Sequence, residues 1–254
     1  MSLSLERWLP YRRPGTAPVR LRLFCFPFAG GGASAFQAWR NRLPADIELC
    51  AVQPPGREGR LSEPAFQSLP ALLDAMEPVL VPLMNRPYVF LGYSMGARIA
   101  LELARRLRMR GLPLPRGMIL AAFEAPRARR RAPLHSLSDA ELLQALGRYE
   151  GTPTEVLENR ELMELLLPLM RADFAISEAP AFDAPALPCP FAVWGGVEDP
   201  HVSPSDLEPW REETTGGFDV RLFPGGHFFL RSAREQVLQT LREQLDSWVR
   251  PGDE

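Results

Sequence analysis

The chain has no lysine: all 29 of its basic residues are arginine. That absence removes several chemistries at once. A Schiff-base lysine, a pyridoxal-phosphate site and a phosphate-loop lysine each need the missing amine. Cysteine is scarce as well, with Cys25, Cys50 and Cys189 the three in the chain. Their number is odd and their spacing unpaired, which excludes a disulfide framework and a zinc site. Each lies in or beside an apolar run, where a small buried hydrophobe is expected. No stretch of about twenty apolar residues exists to span a membrane. Residues 1–13 lack the apolar core and small-residue cleavage site of a secretory signal. A cytoplasmic protein is expected. No sign of charge dominates: 31 acidic against 29 basic residues leave a formal net charge of -2, which argues against a nucleic-acid partner.

What is present is a globular chain of 254 residues, 46% hydrophobic and 24% charged. The length suits one α/β domain, near the upper limit for a single core. Short apolar runs alternate with helical stretches, the pattern of a mostly parallel sheet flanked by helices. Strands are expected at residues 20–28, 47–52, 88–93, 118–123, 191–194 and 219–223. Helices are expected at 34–43, at 69–84 (bent or shortened by Pro78 and Pro82), and at 97–110 before Gly111. Ser232 and Glu235 are placed to cap a last helix reaching about residue 249. The rhythm changes between residues 125 and 188, where no strand is legible. Ser138 with Glu141, and Thr152 with Glu155, read as capping boxes there, and 161–170 as a leucine-rich helix. This stretch is expected to be a helical insertion within one domain spanning residues 1–254.

The sharpest chemical signal is Gly92-Tyr93-Ser94-Met95-Gly96, which matches the G-x-S-x-G nucleophile elbow. An apolar strand precedes it and an amphipathic helix follows, so Ser94 is expected on a tight strand-to-helix turn. The two glycines make room for that turn, and the helix start offers unpaired amides to negative charge. A serine hydroxyl needs a general base. His227, after the last expected strand, fits the order serine, acid, histidine; His201 and His135 are the other histidines. The acid should follow a late strand, and Asp199 does, with Glu198 and Asp206 as competitors. Asp199 as a mere helix cap for residues 203–210 is the plain alternative. An oxyanion hole needs two donors. The backbone N–H of Met95 is one candidate, and that of Phe28 or Ala29, in the glycine-rich loop after the first strand, is the other.

At this point the chain strongly resembles the stand-alone type II thioesterases that serve nonribosomal peptide and polyketide synthases, over residues 23–230. The marks are Phe26-Pro27-Phe28-Ala29-Gly30-Gly31, Pro55-Gly56-Arg57-Glu58, Gly92-Tyr93-Ser94-Met95-Gly96-Ala97 and Gly225-Gly226-His227-Phe228-Phe229-Leu230. Between them lie Gly151-Thr152-Pro153 and Leu167-Pro168-Leu169-Met170-Arg171-Ala172-Asp173. The resemblance implies an α/β-hydrolase fold with a helical lid at 125–188 and a Ser94, Asp199, His227 triad. It implies editing hydrolysis of acyl groups from the phosphopantetheine thiol of acyl or peptidyl carrier domains, in antibiotic or siderophore pathways. The substrate carries the phosphopantetheine, so no cofactor or metal is expected, nor a membrane partner; a monomer is expected. Tyr93 departs from the family, where histidine often precedes the nucleophile. Leu143, Leu166 and Met170 are either pocket lining or lid packing. Arg127, Arg129, Arg130 and Arg131 either dock an acidic carrier or form a solvated face. A carboxylesterase or an acyltransferase with the same triad, and an inactive hydrolase fold used for binding, are the competing functions.

Overall fold

The computed structural model describes residues 3–12, 18–127, 133–147 and 159–249. Six apolar segments become strands: β1 (Leu21–Phe26), β2 (Ile47–Ala51), β3 (Tyr88–Tyr93), β4 (Met118–Ala121), β5 (Phe191–Gly196) and β6 (Phe218–Phe223). They form one sheet in the order β2-β1-β3-β4-β5-β6, and every pairing is parallel. The first five are buried along their whole length, which is why they read as mainly apolar runs, broken only by Arg22 and Glu48, which pair with each other. β6 is an edge strand that alternates between half-buried and exposed positions over Phe218, Asp219, Val220 and Arg221 and ends on the buried Phe223.

Helices cover both faces. α1 (Leu3–Trp8), α2 (Leu69–Leu80) and α3 (Met95–Met109) pack on the face presented by Phe24, Phe26, Phe90 and Leu120. The opposite face, with Leu23, Val89, Leu91 and Trp194, receives Phe36 and Trp39 and the last long helix. Successive residues of one strand thus feed opposite cores, as the pleat requires. Between β4 and β5 the described residues form α4 (Asp139–Leu146) and α5 (Arg160–Ser177). Leu142, Leu146, Met163, Leu167 and Phe174 make a small separate cluster between them. After β5 come the single turns α6 (Pro204–Leu207) and α7 (Phe229–Ser232), then α8 (Arg234–Trp248).

Several boundaries differ from the sequence reading. Residues 34–43 do not form an α-helix; Ala33–Trp39 is a 3-10 segment entered from an extended Gly32 without a side-chain cap. Its leading amides are satisfied by distant side chains, Ala33 by Gln53 and Ser34 by Glu58. Ser232 does not cap the final helix, because it ends α7; the chain breaks at Ala233, and Glu235 is engaged by Arg42. α2 accommodates Pro78, stops at Leu80 and continues as a 3-10 turn over Val81–Leu83. α5 starts at an Asn159 cap and runs through Pro168 to Ser177, seven residues past the expected end. The Ser138–Glu141 capping box is formed. The Thr152–Glu155 box and Gly151-Thr152-Pro153 lie outside the described residues, as do Arg129, Arg130 and Arg131. Arg127 donates to the Ala184 carbonyl at 2.6 Å and sits 3.3 Å from Glu213, so it ties one end of the insertion to the other. No helix among the described residues is long and apolar enough to cross a membrane.

Candidate active site

Ser94 stands between β3 and α3, with φ 54° and ψ -117°. A side-chain-bearing residue in that region costs about 1–3 kcal/mol, so surrounding contacts must impose it. Two such contacts are backbone hydrogen bonds, from the Ser94 amide to the Ala121 carbonyl at 2.7 Å and from the Ala97 amide to the Ser94 carbonyl at 2.8 Å. The glycines do the rest. A Cβ on Gly92 would lie 2.3 Å from the Gly96 carbonyl oxygen, and one on Gly96 only 2.0 Å from that of Phe26. Any other residue at either position displaces backbone. The turn is so tight that α3 begins at Met95, directly after the serine and two residues earlier than its apolar pattern suggests.

His227 follows β6 in a turn pressed against the end of β5, where a Cβ on Gly196 would meet the Gly226 carbonyl oxygen at 2.2 Å. Its Nε2 is 3.1 Å from Ser94 Oγ, and its Nδ1 is 2.8 Å from Asp199 Oδ2. The other carboxylate oxygen, Oδ1, accepts from the amides of His201 at 2.8 Å and Val202 at 3.2 Å. Burial opposes ionisation of Asp199, yet the hydrogen bond and charge of His227 and the two amides outweigh it and hold the carboxyl below its usual range. Asp206 is instead the capping partner of Ser203, and Glu198 contributes its amide to the Gly225 carbonyl. His201 reaches the site with its backbone, its ring edge-on to His227 at 6.0 Å. His135 lies away from the site, its Nδ1 2.7 Å from Glu178.

Tyr93, which departs from the family pattern, packs behind the elbow. Its hydroxyl donates to the backbone carbonyl of His227 at 2.7 Å, and its ring packs edge-on against Phe28 and Phe228. The residue before Ser94 thus holds the backbone of His227. A cavity of about 350 Å³ opens beside it, lined among others by Phe28, Phe36, Trp39, Tyr93, Phe228 and Leu230.

Met95 opens α3, where first-turn amides have no acceptor within the helix. Phe28 and Ala29 belong to a turn closed by the Gly31 amide on the Phe28 carbonyl at 2.9 Å. Gly30 takes φ +78° there, which makes it a type II turn and explains the glycine. The chain that leaves the loop is braced by two side chains, Glu58 of the Pro55-Gly56-Arg57-Glu58 block and Gln53, which no motif marked. Gln53 accepts from the Ala33 amide at 2.9 Å, and Glu58 accepts from the Ser34 hydroxyl at 2.6 Å. Met170 of α5 lies over Gly30, 2.8 Å from where a Cβ would be; Leu143 and Leu166 pack into the cluster between α4 and α5. Among the described residues no group of His, Cys, Asp or Glu side chains forms a candidate metal site.

The arrangement is that of a serine hydrolase, and comparison with known proteins agrees. A family model described as a thioesterase domain matches residues 21–245. The gramicidin S biosynthesis protein GrsT of Aneurinibacillus migulanus is 39% identical over 245 residues, spanning 95% of each chain. Among solved structures, the thioesterase RedJ of the prodiginine pathway of Streptomyces coelicolor superposes with a TM-score of 0.83 at 34% identity, over 91% of this chain and 95% of that one. The type II thioesterase BorB of the borrelidin biosynthetic cluster gives 0.81 at 35% identity, over 92% and 96%.

Proposed function

Because the chain belongs to the thioesterase family, we propose that Ser94, His227 and Asp199 are the triad with which it releases acyl groups from the phosphopantetheine thiol of carrier domains. The synthases served are those of nonribosomal peptide or polyketide assembly, and the role is editing, the clearing of stalled or wrong acyl units. The observation that carries the residue roles is the hydrogen-bonded line from Ser94 Oγ through His227 to Asp199, at 3.1 and 2.8 Å. His227 takes the hydroxyl proton as Ser94 attacks the thioester carbonyl. The amides of Met95 and of Phe28 or Ala29 hold the oxyanion. The C–S bond breaks, the thiolate leaves with the proton from His227, and water, activated by the same imidazole, hydrolyses the acyl-serine. Asp199 keeps Nδ1 protonated and stabilises the imidazolium. Residues 125–188 act as a helical lid within a single domain, and the protein works as a monomer.

The test is acyl release from a phosphopantetheinylated carrier protein beside a matched oxygen ester, with wild type and Ser94→Ala. Ser94-dependent release from the carrier, with poor ester hydrolysis, is expected. Preference for the oxygen ester would return the function to a carboxylesterase, transfer to an added alcohol or amine to an acyltransferase, and no turnover at all to a binding module.

A further inference from the structure

Two family marks have no part in the triad: Pro55-Gly56-Arg57-Glu58 and the stretch of α5 that ends in Asp173. The structure joins them. Arg57 and Asp173 form a two-pronged ion pair, Nη1 to Oδ2 at 2.5 Å and Nη2 to Oδ1 at 2.8 Å, with both side chains buried. The same Oδ2 accepts the backbone N–H of Gly30 at 2.7 Å. Arg57 Nη1 also donates to the Gly31 carbonyl at 3.3 Å, and its Nε to the Pro55 carbonyl at 3.2 Å. The pair therefore grips both sides of the glycine turn that carries Phe28 and Ala29.

We propose that Arg57 and Asp173 are positioning residues for the oxyanion hole, so that α5, seated on the core, sets the donor loop as well as covering it. This rests on the reading that an amide of Phe28 or Ala29 is an oxyanion donor. Asp173 and Arg57 act on the peptides that follow the donors. Asp173 Oδ2 holds the Gly30 amide and Arg57 Nη1 the Gly31 carbonyl, so the turn that begins with Phe28 and Ala29 is fixed through its later peptides. Without that hold, Gly30, Gly31 and Gly32 let the whole turn rotate, and the Phe28 and Ala29 N–H groups rotate with it. A buried ion pair is weak grounds for stability alone, since well-packed apolar replacements of similar volume often hold a fold equally well. What an apolar pair cannot supply is the acceptor for Gly30.

The experiment compares wild type, Ser94→Ala, Arg57→Met with Asp173→Leu together, and Asp173→Asn, measuring kcat, KM and the thermal midpoint on one acyl thioester. The apolar pair is expected to fold with a midpoint lowered by the unpaired Gly30 N–H and Gly31 carbonyl, but less than in Asp173→Asn, to keep KM, and to lose kcat by about 100-fold, near the lower end of removing an oxyanion donor outright. Asp173→Asn keeps an acceptor for Gly30 and is expected to retain kcat within about tenfold, although its midpoint falls because Arg57 loses its counter-charge. The split is the signature of positioning: kcat follows the acceptor, and the midpoint follows the charge. A folded apolar pair with kcat within about threefold of wild type would overturn the proposal. So would an Asp173→Asn enzyme as slow as the apolar pair. Wild-type turnover unaffected by Ser94→Ala would instead sink the active-site reading itself, a result that the pair variants cannot produce.

Discussion

Replacing Tyr93 by phenylalanine isolates one atom of the site. The ring, with its edge-on contacts to Phe28, Phe228 and Phe229, stays; the hydroxyl that donates to the His227 carbonyl at 2.7 Å is lost. That bond is buried, so the carbonyl loses a partner that water does not readily replace. The expected cost is about 1–3 kcal/mol. For a chain of this size each kcal/mol moves the midpoint by about 2–4 °C, so Tyr93→Phe should melt roughly 2–12 °C below wild type. The catalytic effect should be smaller than deleting a triad member, because Asp199 still holds Nδ1 and the Nε2 to Ser94 contact is untouched. A shift well under 1 Å in the base is worth roughly three- to tenfold in kcat, since a full 1 Å misplacement costs about 100-fold. KM should not change. Differential scanning calorimetry and steady-state hydrolysis of one thioester measure both. A variant that matches wild type in midpoint and kcat would refute the idea that this hydroxyl anchors the loop bearing His227.

Four further outcomes follow from the same structure. Gly96→Ala should yield no folded enzyme, because its Cβ would stand 2.0 Å from the Phe26 carbonyl oxygen, whereas Gly59→Ala, which meets nothing within 4 Å, should express and melt like wild type. Asp199→Asn should lower kcat by roughly 10⁴ while leaving KM within a few-fold. The Asp199 carboxyl sits below its usual range in the folded protein, so its ionised form contributes stability above that range and the contribution is lost as pH falls through the lowered value. Urea titrations of wild type and Asp199→Asn should accordingly converge in acid; a gap that widens as pH falls would contradict this. Burial pushes the thiols of Cys50 and Cys189 up to about 12 and that of Cys25 well above its ordinary value, so none should react with iodoacetamide at mildly alkaline pH until the protein unfolds, as intact-mass spectrometry would show.

The parts of this molecule legible in the chain are those whose cause is local. A strand buried on both faces is mostly apolar, and β1 to β5 announce themselves by that, with Arg22 of β1 and Glu48 of β2 tolerated because they pair with each other. The elbow is legible because its sterics act over five consecutive residues, and the pairing of Gly92 with Gly96 has one physical reading. The order of serine, acid and histidine supplied His227 and Asp199 once the strands before them were placed. Boundaries fared worse where a distant side chain decides them. The segment at Ala33–Trp39 starts where Gln53 and Glu58 hold the Ala33 and Ser34 amides, and nothing near residue 34 says so.

Arg57 and Asp173 are the limiting case. Each is a charged residue in a stretch whose neighbours explain little, and 116 positions separate them. Composition marks neither, because arginine carries every basic role in this chain and aspartate is common on surfaces. Only burial distinguishes them: a desolvated guanidinium and a desolvated carboxylate must find each other, since either alone would cost several kcal/mol. Asp173 ends the run Leu167-Pro168-Leu169-Met170-Arg171-Ala172-Asp173, with Met170 above Gly30 and Asp173 against its amide. Along an α-helix, residues three apart face the same way. The spacing of Met170 and Asp173 thus places an apolar cap and a charged anchor on one glycine, and under the proposed roles the cover of the site and the order of its donor loop are properties of one helix face.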